Sequence, residues 1–251
     1  MTKISVILPY YNDEANVLRA VSSVLNQSYP IDEIILINDG GVELSHEVQS
    51  EGNTKIICLS LTNNQGPANA RNTGVLKSTG GWIAFLDADE TWAIDKIQAQ
   101  VAFFETHPDF DMCGTLAGVS EETYTSVDCE KWREVKAQDL LWRNVFRTSS
   151  VVMRRDAFPG FPSGEYFSED YSCWLNALFS GSRGALLSTT LTFYDRLPGT
   201  AGGLSHYRWK MLLGEFRNFS LLERSGYISM FTALRAKSFS IIKFLFRIIR
   251  S

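Results

Sequence analysis

Trp82-Ile83-Ala84-Phe85-Leu86-Asp87-Ala88-Asp89 is the stretch that decides the fold class. An apolar run without a polar break ends on two carboxylates, the pattern of a buried strand that opens into a polar loop. Working back, Gly80-Gly81 closes a helix that Pro67 starts and that continues to about Ser78. Before it lie the polar loop 62–66 and a strand from Lys55 to Leu61. Ile34 to Ile37 forms another buried strand, ended by Asn38-Asp39-Gly40-Gly41. Ile4 to Leu8 forms the first, stopped by Pro9, and Val17, Leu18, Val21, Val24 and Leu25 then keep helical spacing. Asn12 is the candidate cap of that helix. Working forward, Ile94, Ile97, Val101 and Phe104 give an apolar helical stripe. Strands alternating with helices predict an α/β fold: a mostly parallel central sheet flanked by helices. Right-handed crossovers would bring the four strand ends to one edge, where ligands of such sheets bind. The polar clusters at 9–13, 38–41, 63–72 and 87–89 would then converge.

The second half is less regular. Residues 110–150 carry Trp132, Trp142 and Phe146 without a sheet pattern. Ser150 to Met153 reads as a strand, Phe158 to Pro162 as a turn, and Asp170 to Ser180 as a helix with Gly181 at its C-terminal end.

Composition narrows the function. The chain has 251 residues, 45% hydrophobic and 21% charged, enough for a sizeable core without disulfides. Its net charge of −4 argues against a nucleic-acid partner. Four scattered cysteines form no metal or disulfide framework, which favours a reducing cytoplasm; Cys58, in an apolar run, is expected to be buried. No stretch is long and apolar enough to span a membrane. Serine-hydrolase, P-loop and dinucleotide motifs are missing.

Each cluster admits two readings when taken alone. Asp87 and Asp89 could hold Mn²⁺ or Mg²⁺ on a diphosphate, or one could cap the next helix. Asp39 could accept from a base or ribose beside Gly40-Gly41, or make an ordinary Asp-Gly turn. Arg71 could reach a phosphate or pair with an acidic neighbour. The helix start at Gly66-Pro67 favours anions. Glu169-Asp170 could include a general base, or with Ser168 serve only as helix-start capping.

In order along the chain, ISVILPYYN (4–12), DEIILINDG (32–40), NQGPANARN (64–72), FLDAD (85–89), SSVVMRR (149–155) and SEDY (168–171) resemble family 2 glycosyltransferases over roughly residues 3–205. The resemblance implies the A-type glycosyltransferase fold, with a Rossmann-like nucleotide half, and inverting, metal-dependent transfer from a nucleotide-sugar, most often a UDP-sugar. It implies that Pro9, Tyr11 and Asp39 hold the base, that Gly66, Arg71, Asp87 and Ala88 line the nucleotide site, and that Asp89 ligates Mn²⁺ or Mg²⁺. Asp170 would deprotonate the acceptor hydroxyl, with Glu169 assisting. The acceptor would be a glycan or lipid-linked sugar in cell-surface polysaccharide synthesis. Two departures stand out. Asn38 replaces a frequent acid, and Leu197 replaces a frequent His, with His206 the candidate substitute. A metal-dependent nucleotidyltransferase and a non-catalytic membrane-associated nucleotide-binding module are the rival readings.

Charge divides the chain unevenly. Residues 208–251 hold nine Lys/Arg and two acids, whereas residues 1–207 hold fifteen and 26. The expected organisation is a catalytic domain over 1–207, split into a nucleotide half (1–109) and an acceptor half (110–207), followed by a basic helical extension (208–251). Lys243, Arg247 and Arg250 share one helical face, and Phe239, Ile242, Phe246 and Ile249 fill another. Such a helix suits peripheral contact with an anionic membrane, here at the inner face of the cytoplasmic membrane. The alternatives are packing on the catalytic domain or a homodimer interface.

Overall fold

The computed structural model describes residues 3–45, 48–49, 52–119, 131–164, 167–194 and 207–249. Strands β1 (Ile4–Tyr10), β2 (Glu33–Asn38), β3 (Lys55–Ser60) and β4 (Trp82–Phe85) alternate with helices α1 (Glu14–Leu25) and α2 (Pro67–Lys77). Next come β5 (Glu90–Trp92), α3 (Lys96–Thr106), β6 (Met112–Gly118), β7 (Trp132–Val135), α4 (Ala137–Leu140), β8 (Val152–Arg154), α5 (Glu169–Phe179) and β9 (Gly184–Tyr194). Helices α6 (Arg208–Arg224) and α7 (Met230–Ile249) complete the described chain.

The nine strands make one mixed sheet in the order β3-β2-β1-β4-β8-β6-β9-β5, with β7 also on β9. Six run one way and three (β5, β7 and β8) the other. From β1 the chain moves outward through β2 and β3, then returns to place β4 on the other side of β1. That reversal opens a crevice at the strand ends.

Every residue of β1 and β2 is buried because helices cover both faces. Ile4, Val6, Leu8, Ile34 and Leu36 pack on one face with Val17, Val21 and Val24 of α1 and Ile97 and Val101 of α3. Ile7, Ile35, Ile37, Ile83 and Phe85 pack on the other with residues of α2, α5 and α6. Gly74 lets α2 approach closely, since a Cβ there would lie 2.7 Å from side-chain atoms of Ile7 and Ile37.

Three expectations are corrected. Cys58 is exposed, because β3 is the edge strand and its outer face is only partly covered. Asn12 does not cap α1. It adopts a left-handed φ of 52° and its Oδ1 accepts from the Val42 amide, pinning the loop after β2, while Asp13 takes the cap position. Residues 110–150 do contain strands, β6 and β7, and both pair with the long β9.

Lys96 is wholly buried beneath the sheet. Its Nζ donates to Gln100 Oε1 at 2.8 Å and lies 4.0 Å from the Trp92 ring centroid. Burial pulls its pKa down to about 7. The unfolded chain therefore binds a proton here that the folded one lacks between about pH 7 and pH 10. Stability is expected to rise with pH across that window, by up to about 1.4 kcal/mol per pH unit from this group. Denaturant midpoints measured from pH 7 to 10 should flatten in Lys96→Met; an unchanged slope would remove Lys96 as the cause.

Candidate active site

The ends of β1, β2 and β4 and the start of α2 meet beside the N-terminus of α5. Pro9 and Tyr10 are buried in β1, whereas Tyr11 just beyond the strand is exposed. Asn38 closes the turn after β2 by donating to Gly41 O and accepting from Gly41 N. Gly40 takes φ +72°, and a Cβ there would lie 2.3 Å from the Asn63 carbonyl carbon.

Asp39 is buried, and its two carboxylate oxygens accept from the Gln65 and Gly66 amides, each at 2.8 Å. It therefore clamps the loop that leads into α2, and Gly66, at φ +86°, turns the chain into the helix. Sequence proximity does not reveal this bond, which joins residues 27 positions apart.

Arg71, on the second turn of α2, is buried. Its Nη2 donates to Asp87 Oδ1 at 2.6 Å and its Nη1 to Glu169 Oε1 at 3.1 Å. Its guanidinium also lies 5.3 Å from the Phe161 ring centroid. The two carboxylates hold its pKa above the usual arginine value despite burial. Of the two readings that the sequence left open, the structure thus places Arg71 among acidic neighbours. It forms a bridge between the end of β4 and the start of α5.

Burial pushes Glu169 up to about 7, with Asp170 adding to the rise and Arg71 opposing it. Asp170 is half-buried and its pKa is raised, again first by burial; the Tyr171 amide and the charges of Arg71 and Arg147 oppose the rise. Its Oδ1 accepts from the Tyr171 amide at 2.7 Å and its Oδ2 from Asn144 Nδ2 at 3.3 Å. Capping by Ser168 does not occur. Ser168 is left-handed, with φ 60°, and its hydroxyl donates to Met211 O of α6 instead.

At the β4 end, the Asp87 amide donates to Ser149 Oγ at 2.9 Å. Ala88 packs against the core, and Asp89 is exposed with its carbonyl 3.5 Å from Arg19 Nη2. Glu90 joins this acidic turn. Burial, with the charge of Asp87, pushes its pKa up to about 8, and its Oε2 is buried without a hydrogen-bond partner. Among the described residues, no group of three or more His, Cys, Asp or Glu is arranged to hold a metal ion. Asp87 and Asp89 fit a hard cation whose remaining ligands come from diphosphate and water, and the orphaned Glu90 oxygen is the kind of atom that such an ion or its waters would satisfy.

Three neighbours escaped the sequence reading. Glu90 could have been found as the third carboxylate in a run of four residues. Asn144 and Arg147 lie in the irregular segment, where no periodicity points to them, whereas Ser149 opens the SSVVMRR motif. Leu197, His206 and Arg250 lie outside the described residues.

Residues 5–158 match Glycosyl transferase family 2. The chain is 27% identical over 226 residues to the Escherichia coli UDP-Glc:alpha-D-GlcNAc-diphosphoundecaprenol beta-1,3-glucosyltransferase WfaP, covering 85% of this chain and 84% of that one. Its fold matches Staphylococcus aureus TarS 1–349 in complex with UDP-GlcNAc, with a TM-score of 0.67 and 18% identity over 88% of this chain and 66% of that chain. It also matches the Pyrobaculum calidifontis mannosyltransferase PcManGT in complex with GDP-Man and Mn²⁺, with a TM-score of 0.65 and 16% identity over 96% and 74%. The mixed, mostly parallel, helix-flanked sheet is thus the A-type glycosyltransferase fold. With the family matched across more than half its length, the chain belongs to glycosyl transferase family 2 and is a glycosyltransferase.

Proposed function

We propose that the protein transfers a sugar, with inversion at the anomeric carbon, from a UDP-sugar to a lipid-linked or glycan acceptor in cell-surface polysaccharide synthesis. The observation that carries this reading is the Asp87–Arg71–Glu169 bridge. It joins the donor end of the parallel strands to the helix start that bears Asp170. The names of the similar proteins support the donor and acceptor classes: one uses UDP-Glc on a diphosphoundecaprenol-linked sugar, and another binds UDP-GlcNAc.

In this reading Pro9, Tyr11 and the Asp39-anchored loop frame the base, and Gly66, Asp87 and Ala88 border the ribose and diphosphate. Arg71 supports Asp87 from below. Asp89 would hold Mn²⁺ or Mg²⁺, a choice supported by the Mn²⁺ complex of the mannosyltransferase. A bound divalent ion would stabilise charge on the leaving diphosphate. Asp170 accepts the proton of the acceptor hydroxyl as its oxygen attacks the anomeric carbon and the nucleoside diphosphate leaves with the bonding pair. The raised pKa of Asp170 makes it a stronger base than an exposed carboxylate. Glu169 holds Arg71 and orients the helix start. Residues 1–109 would serve the donor and 110–207 the acceptor. Residues 208–251 would make peripheral contact with the inner face of the cytoplasmic membrane.

Calorimetric titration with UDP-, GDP- and dTDP-sugars, with and without Mn²⁺, tests the reading. A UDP-sugar should bind at least about tenfold more tightly with the metal, since a metal–diphosphate contact contributes over 1.4 kcal/mol. Metal-independent binding, or preference for another nucleotide, would overturn the corresponding assignment.

A further inference from the structure

We propose that the outward face of the α6–α7 hairpin inserts into the headgroup–acyl boundary of an anionic lipid leaflet. This deepens the membrane contact proposed above and rests on it, and it assigns the face of the helix that does the work.

The sequence separates a basic from an apolar face of α7 without saying which one turns outward. In the structure Lys237 and Lys243 of α7 turn inward, while Arg235 and Arg247 are exposed. Lys243 Nζ donates to Trp142 O at 3.1 Å and lies 3.5 Å from Glu215 Oε2, and Lys237 Nζ donates to Ser220 Oγ at 2.8 Å. Ala233, Ala236 and Ser240, on the same side, are buried. The opposite side therefore carries the apolar residues outward. Leu234 is 61% exposed, Leu245 51% and Ile249 80%, with Phe231, Ile241 and Ile242 beside them. Their positions repeat at helical spacing over the whole of α7, a length of about 30 Å. Trp209 and Leu213 of α6 are exposed too and extend the patch; the Trp209 and Phe244 rings lie 5.6 Å apart. Among the described residues no helix is long and apolar enough to cross a membrane, so the patch suits lying on one.

Charge selects the occupant. Residues 208–251 carry nine Lys/Arg and only two acids. One of the acids, Glu215, is already engaged by Ser240 and Lys243. Lys210, Arg224 and Arg235 are exposed around the apolar stripe. A two-fold contact would press these exposed cations against their own copies, whereas an anionic leaflet complements them.

The patch is also coupled to the site. Asn218 Nδ2 of α6 donates to Ser168 O at 3.0 Å, and Ser168 donates to Met211 O. Gly214 sits so close to Phe167 that a Cβ would lie 2.5 Å from its carbonyl oxygen. The docking hairpin thus holds the residue that precedes Glu169 and Asp170, which sets the acceptor end of the site one helix layer from the leaflet.

The test is co-sedimentation of the full chain with phosphatidylcholine vesicles that contain or lack phosphatidylglycerol. Binding should require the anionic lipid and weaken as salt screens it. Ile241→Glu and Leu245→Glu should each reduce partitioning by about tenfold or more, the loss expected from one buried aliphatic side chain. Lys243→Gln, whose head group faces the protein, should leave it unchanged. Melting temperatures of the three variants guard against unfolding. Vesicle binding by the two Glu variants equal to that of the original chain would overturn the proposal. So would a solution dimer that these substitutions split while vesicles bind nothing. Binding as expected, together with inactivity toward lipid-linked acceptors in detergent, would support the docking surface and refute the lipid-linked choice of acceptor.

Discussion

Asp170→Asn is expected to lower kcat by about 10²–10⁴-fold, the range that a positioned general base contributes, with little change in UDP-sugar affinity. The amide keeps the shape and its oxygen can still accept from the Tyr171 amide, but its NH2 can neither accept from Asn144 Nδ2 nor take a proton. Donor contacts lie at the strand ends and should survive. The acid limb of the kcat profile should lie above the ordinary carboxylate range, because burial raises the Asp170 pKa and activity is lost as pH falls through it. Stopped assays of transfer, paired with calorimetry of donor binding, separate the two effects. Near-normal turnover in Asp170→Asn would sink the base assignment, and equal loss of donor affinity would recast Asp170 as part of the donor pocket.

Arg71→Met should be the most destabilising single change in the site, by about 3–5 kcal/mol, as when one partner of a buried ion pair is removed. Both guanidinium nitrogens that face carboxylates are committed, to Asp87 at 2.6 Å and Glu169 at 3.1 Å. Met fills the volume but leaves Glu169, itself buried, with no cation in contact. The sign of the pH effect follows. Glu169 already sits at about 7, above its unfolded value, so its charged form is the costly one as pH rises. Without Arg71 that pKa moves higher still. The variant's deficit should therefore be larger at pH 8 than at pH 5, where the carboxyl is protonated. Arg71→Lys keeps the charge but cannot fork to two partners, so it should recover only part of the loss. Thermal melts at the two pH values decide the matter. A deficit independent of pH would point to lost packing against Phe161.

The elements that were legible in advance share one property: their burial is set locally. β1, β2 and β4 are nearly unbroken apolar runs closed by Pro, Asp-Gly or paired carboxylates, and helices on both faces demand that pattern. β9 was not legible, since Ser188, Thr189 and Thr190 interrupt it and its pairing with β6 shifts register between Gly114 and Ala117. β5, at three residues, is too short to carry a period. Asn144 reaches Asp170 from a segment with no periodicity, so only the folded chain brings them together.

The amphipathic period of α7 was equally plain, and its orientation was not. Periodicity separates two faces of a helix but does not say which one turns inward. Glu215 and the Trp142 carbonyl, both distant in sequence, draw Lys243 toward the body and leave the apolar face outside.

By itself the sequence determined which side chains stand at the strand ends, because turn residues after apolar runs act over a few positions. The tertiary structure alone decided that Arg71 joins Asp87 to a carboxylate 98 residues away, that Asp39 is spent on the loop before α2, and that α7 shows its apolar side. Each depends on partners that only long-range packing can place within hydrogen-bond reach.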